Sequence, residues 1–184
     1  MKLDGRIALV TGATRGIGQA IARRGALGFG MKVIYHNRSR LPVETESELK
    51  ATWVDKESLF RHADHVVLVL PYSPAVHHIV GMAELKLMKK TATLTNIARG
   101  GIVDESALIE ALQERLIGAA GLDVFEGEPK VNPGLLKLQN IVLTPHIASA
   151  TMATRLKMAQ LAAENLISYF EKGQAITPLN EVPA

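Results

Sequence analysis

A chain of 184 residues can bury one sizeable core, and one domain is the expected count. Its 47% hydrophobic and 21% charged content is that of an ordinary globular protein, and no apolar run approaches the roughly 20 residues that span a bilayer. The absence of cysteine excludes disulfides, thiolate zinc sites and thiol catalysis, and no metal site is expected. Net charge is +3 and the isoelectric point about 9.2. The basic residues do not gather into one dense run and only 4% of the chain is aromatic, so the expected partner is a phosphate-bearing small molecule and not nucleic acid. The first residues run straight into a glycine segment without an apolar stretch and cleavage site, so no leader is expected and the cytoplasm is the expected compartment.

Short β-branched runs alternate with amphipathic stretches, the pattern of a doubly wound α/β domain with a parallel sheet and helices on both faces. Strands are predicted at 6–11, 32–35, 51–54, 65–70, 93–97, 119–124 and 141–144, and helices at 17–27, 56–62, 83–88, 105–115 and 153–170. In the last helix Leu156, Ala159, Ala163, Leu166, Ile167 and Phe170 recur at helical spacing as one apolar stripe. The expected division is a dinucleotide-binding domain over 1–172 and a tail over 173–184 that returns to a further, substrate-binding lobe.

The segment Thr11-Gly12-Ala13-Thr14-Arg15-Gly16-Ile17-Gly18 joins the first strand to the first helix. Glycines let a backbone approach a pyrophosphate closely, and a helix N-terminus offers free N–H groups with a positive dipole. Gly12, Thr14, Arg15, Gly16, Ile17 and Gly18 are therefore the expected phosphate cradle; the bland alternative is a structural turn. The second strand ends in Tyr35-His36-Asn37-Arg38-Ser39-Arg40. A carboxylate at this place would hold the ribose hydroxyls of NAD and repel a 2′-phosphate. Two arginines and a serine stand there instead, so Asn37, Arg38, Ser39 and Arg40 are expected at the adenosine ribose, with NADP(H) preferred and NAD(H) possible. Alternatively, both arginines are simply solvated.

Three further polar residues follow predicted strand ends, the edge at which open α/β sheets place ligands. They are Arg99 in Asn96-Ile97-Ala98-Arg99-Gly100-Gly101, Glu128 in Phe125-Glu126-Gly127-Glu128-Pro129, and His146 in Thr144-Pro145-His146. Reducing a keto acid needs a cation for the carboxylate and a proton donor for the carbonyl oxygen. A histidine beside a glutamate makes a tuned acid. Taken singly, Arg99 could pair with a surface acid and His146 could be a satisfied strand-end histidine.

From about residue 26 to the end, several blocks resemble the D-isomer-specific 2-hydroxyacid dehydrogenase family. They are Gly30 to Tyr35, Ala63 to Pro71, Asn96 to Glu105, Gly121 to Pro129, and Thr144 to Thr151. The resemblance implies a carboxylate clamp at Arg99, its acid partner at Glu128 and a proton donor at His146. It also implies that Pro71, Ile97, Asp123 and Ala148 lie along the cofactor or nicotinamide. The Tyr-His-Asn-Arg strand end is similar to glyoxylate and hydroxypyruvate reductases that use NADP. A small 2-keto or 2-hydroxy acid is the implied substrate, no membrane is implied, and a homodimer is.

Two features depart from that family's pattern. Its phosphate loop is Gly-x-Gly-x-x-Gly, whereas the segment from Gly12 to Gly18 is one residue longer and resembles the short-chain dehydrogenase/reductase family. A graft or recombination near Ile17 would account for the mixture. That second family's Tyr-x-x-x-Lys pair is not found, since Ser39, Val76 and Gly173 stand four residues after the three tyrosines. Family chains are also longer, and their substrate lobe comes mainly from a segment ahead of this domain. The chain alone is thus expected to bind cofactor and turn over little, and a dinucleotide-binding module without catalysis is the alternative.

Overall fold

In a computed structural model, residues 3, 5–10 and 16–178 of the chain are described. Seven parallel strands form one sheet, in the order β3-β2-β1-β4-β5-β6-β7. They are β1 (Ile7–Val10), β2 (Lys32–Tyr35), β3 (Ala51–Trp53), β4 (His65–Leu68), β5 (Thr93–Asn96), β6 (Ala119–Leu122) and β7 (Ile141–Leu143). Alternating burial along β2, β4, β5 and β6 shows one residue of each pair turned into a core and the next only half covered. The chain order reverses between β1 and β4, which opens a crevice beyond their C-terminal ends.

The helices are α1 (Gly16–Ala20), α2 (Val43–Leu49), α3 (Lys56–His62), α4 (Met82–Leu87), α5 (Glu105–Gln113) and α6 (Met152–Lys172). All seven strands stand where the sequence puts them, each ending one to two residues earlier where prediction and structure differ. The first helix differs more. After α1 the chain winds as a π turn over Ile21–Ala26 and a 3₁₀ turn over Leu27–Phe29. A π turn closes i→i+5 and takes in one residue more than an α turn. Ala22 and Ala26 of that turn are buried against the sheet.

The helix α2 was not expected. Its Val-Glu-Thr-Glu-Ser-Glu-Leu sequence has no apolar stripe, and its buried residues are Glu46 and Leu49. Glu46 is held by two neighbours. Buried Tyr35 donates its hydroxyl to Oε1 at 2.6 Å, and Arg40 donates through Nε and an Nη at 2.8 Å each. Tyr35 also accepts the backbone N–H of Leu41 at 2.7 Å. The carboxyl of Glu46 is held down at about 2 by the bonds from Arg40 and then Tyr35.

Two apolar clusters flank the sheet. The larger joins β4, β5 and β6 to α3, α4 and α5 through Leu59, Leu85, Leu94, Leu108 and Leu122; the smaller surrounds β2 with Met31, Val33, Leu41 and Leu49. Buried Asp64 ties the first two halves of the sheet together, accepting the backbone N–H of Ile7 and the ammonium of Lys89, each at 2.9 Å.

The chain divides into two compact units, residues 1–145 and 146–184, and the break precedes the last helix. The second unit is built on α6, capped by Thr151 at its start and by Gly173 in a left-handed conformation at its end. Asn165 folds the following residues back onto the helix, accepting the backbone N–H of Thr177 at 2.8 Å. Leu156, Leu166, Ile167 and Phe170 of the expected stripe are exposed. Among the described residues no helix is long and apolar enough to cross a membrane.

Candidate active site

Because every strand is parallel, the residues that follow β4, β5 and β6 meet at one edge of the sheet. The loops after β4 and β5 are zipped together there. His78 N–H donates to the Gly101 carbonyl at 2.7 Å, Val80 N–H to Ile102 at 3.2 Å, and Asp104 N–H to Val80 at 3.0 Å. Beyond β5, buried Asn96 folds the chain back on itself. Its Oδ1 accepts from Ala98 N–H and its Nδ2 donates to the Arg99 carbonyl, both at 3.0 Å. This loop ends in Asp104, whose carboxylate caps α5 by accepting from the N–H groups of Ser106 and Ala107.

The two glycines of the loop have separate reasons. A Cβ on Gly100 would sit 1.8 Å from the Phe125 carbonyl oxygen, so only glycine lets the two backbones pass. Gly101 has a φ of 76°, in the left-handed region. The segment after β6 is fixed against α5 in turn. Buried Glu105 accepts the Glu126 N–H at 2.7 Å, and burial raises the Glu105 carboxyl above its ordinary range.

The result is a cavity of about 560 Å³ lined by Tyr72, His77, Arg99, Phe125, Glu126 and Glu128, with the glycines between them. Arg99 donates one Nη to the Ala98 carbonyl at 2.6 Å and makes no ion pair with a described carboxylate. Its remaining donors are open to a ligand. Glu128 accepts the Phe125 N–H at 2.9 Å, which turns the end of its loop toward the same cavity. Two of the three expected catalytic residues are thereby brought together. His146 follows β7 in sequence and opens the second unit with a φ of 51°.

The expected cofactor contacts are distributed differently. Gly12, Thr14 and Arg15 lie outside the described residues; Gly16 and Ile17 are described as the helical backbone opening α1, and Gly18 is buried. Beyond β2, Asn37 is half-buried and accepts the Trp53 indole N–H at its carbonyl, 3.4 Å away. Arg38 and Ser39 are exposed, and Arg38 makes no ion pair or hydrogen bond among the described residues. Arg40 is exposed and pairs with Glu46 through Nε and one Nη, which leaves its other Nη facing outward. Pro71 is exposed just past β4, and Ile97 donates its N–H to Leu68 at 3.3 Å. Asp123 is buried at the end of β6, accepting the Thr144 hydroxyl at 2.6 Å, and Ala148 lies in the second unit. Sequence reasoning missed Tyr72, His77 and Glu126. Their one local signal is a Pro71-Tyr72 step at a strand end.

Residues 1–148 match the D-isomer specific 2-hydroxyacid dehydrogenase, NAD binding domain. The chain belongs to this family. The match begins at residue 1, so it includes the glycine segment that also resembles short-chain reductases. Among curated members of the family, the chain is similar to glyoxylate reductase of Thermococcus gammatolerans, 54% identical over 83% of this chain and 45% of the relative. It is likewise similar to glyoxylate reductase of Thermococcus litoralis, 51% identical over 94% and 51%. The chain thus spans about half the length of the curated relatives it matches. Among solved members, an NADPH-dependent glyoxylate/hydroxypyruvate reductase of Sinorhizobium meliloti in complex with NADP and malonate superposes with a TM-score of 0.89. It is 37% identical, and the match covers 100% of this chain and 56% of that one.

Proposed function

We propose that this chain is the cofactor-binding half of an NADP(H)-dependent reductase that converts a small 2-keto acid, of the glyoxylate or hydroxypyruvate kind, to the D-2-hydroxy acid. One observation carries the reading: an arginine with no carboxylate partner among the described residues shares a cavity with Glu128 at the ligand edge of the sheet. The named activities of the relatives agree with it. A nicotinamide held at this edge would supply the hydride chemistry. Arg99 holds the substrate carboxylate through its fork and draws charge from the neighbouring carbonyl. His146 is the proposed proton donor to the developing alkoxide, and Glu128 the proposed acid of the cavity, each on the family resemblance. Asn96 and Gly100 act earlier, fixing the backbone from which Arg99 reaches the cavity.

Cofactor fit rests on the donor set beyond β2. Residues 36–40 carry no carboxylate, and Arg38 is engaged by none of the described residues, which fits a 2′-phosphate reader. Arg40 supports the turn instead. NADP(H) is therefore the proposed cofactor; a cytoplasmic homodimer completes the proposal. The test is reduction of glyoxylate and hydroxypyruvate measured beside NADPH affinity. His146→Ala is expected to abolish reduction and leave the affinity unchanged; equal loss of both contradicts the role given to His146.

A further inference from the structure

Two side chains in the Arg99 cavity have no part in the reduction just described: Tyr72 and His77. Their geometry is set from several sides. Tyr72 Oη lies 3.2 Å from His77 Nδ1, with the rings edge to face at 6.1 Å. The His77 ring stacks on His78 with centroids 3.8 Å apart. His78 is anchored in turn, its Nε2 2.8 Å from Glu126 Oε1 and its Nδ1 4.0 Å from Asp104 Oδ2. Both rings of the upper pair also rest over Gly101, where a Cβ would come within 3.1 Å of His77 Nδ1 and 3.3 Å of Tyr72 Cε2. The imidazole is thus positioned on the very loop that carries Arg99.

The Tyr72 hydroxyl engages Nδ1, which leaves Nε2 as the ring nitrogen that can donate or accept toward a ligand, according to the tautomer. That nitrogen has no hydrogen-bond partner among the described residues. The cavity is also much larger than a two-carbon acid held on Arg99 would fill. Two carboxylates line it, Glu126 and Glu128, which argues for a neutral polar group rather than a second anion at this end. We propose that His77, oriented by Tyr72, is the specificity contact for a hydroxyl on C3 of the substrate, so that this site selects 3-hydroxy-2-keto acids over their 3-deoxy counterparts. The inference rests on the reading of Arg99 as carboxylate clamp. It gives the substrate a polar contact, in the same cavity, that the reduction itself does not use.

Hydroxypyruvate and pyruvate differ by this one hydroxyl, and neither is reduced when the bound cofactor is NADP⁺. Calorimetric titration of the chain saturated with NADP⁺ therefore reads binding without turnover. The expected preference for hydroxypyruvate is roughly three- to tenfold, the contribution of one neutral hydrogen bond. His77→Phe keeps the stack on His78 and should bring the two affinities within about twofold, by weakening hydroxypyruvate alone. Tyr72→Phe, which keeps the ring and frees Nδ1, should lower the preference by a smaller factor. An unchanged preference in a folded His77→Phe protein overturns the subsite while leaving the clamp intact. Arg99→Ala separates the two claims: it should abolish binding of both acids, and retention of pyruvate affinity there would sink the clamp and the subsite that depends on it. Failure of the parent chain to bind either acid would do the same.

Discussion

The two halves of the sheet fix their arginines by different means. Beyond β2, Arg40 is held by side chains: its fork is closed on Glu46, which Tyr35 pins from below. Beyond β5, Arg99 is held by its backbone, through Asn96 and through glycines that let one loop lie against another, and its guanidinium is left without a carboxylate. The first arrangement consumes the charge in building the turn; the second presents it to a ligand. An arginine beyond a strand end is thus not a site by position alone. What matters is whether the surrounding chain neutralises it or only aims it.

The difference can be tested first where it is largest. Gly100→Ala drives a methyl group into the Phe125 carbonyl, so the stability loss in urea denaturation should reach or exceed the ~1–3 kcal/mol typical of overpacking. An alanine tolerated at no cost would show that the close approach of the two loops is not required. Tyr35→Phe tests the other half. It leaves the Leu41 N–H without its acceptor and removes one of the three hydrogen bonds to Glu46, at an expected cost of about 1–3 kcal/mol. Cofactor affinity should hold if Arg38, and not the Tyr35–Glu46–Arg40 group, reads the ribose phosphate.

A smaller effect appears with pH. Folding lowers the Glu46 carboxyl from the ordinary 4.5 to about 2, so its contribution is complete above the unfolded value and is lost as pH falls from about 4.5 toward 2. Glu46→Gln should flatten that acid limb of the stability curve and leave the curve above pH 6 parallel to the parent's. An unaltered limb would mean that other lowered carboxylates, such as Asp64 and Glu84, carry it.

Much of this was legible from residues alone. Alternating β-branched runs located all seven strands, and with them the sheet edge where Arg99 and Glu128 meet. The helix α2 was not legible, because Glu44, Glu46 and Glu48 give it no apolar period and its buried residues are one glutamate and one leucine, Glu46 and Leu49. Missing it, sequence reasoning had no partner for Arg40, which Glu46 supplies. The π turn after α1 was hidden for a related reason: periodicity shows that a helix exists, not how many residues close each turn. Tyr72 and His77 escaped because their role depends on Gly101, some 24 to 29 residues away in sequence, and on nothing in their own segment.

The central claim is a dinucleotide site that reads a 2′-phosphate through Arg38, and nicotinamide fluorescence during titration with NADPH and then NADH tests it most directly. Saturable binding with NADPH the tighter ligand, and a preference that falls about tenfold in Arg38→Ala, is the expected result. Equal affinity for the two cofactors, or no binding of either, would contradict it.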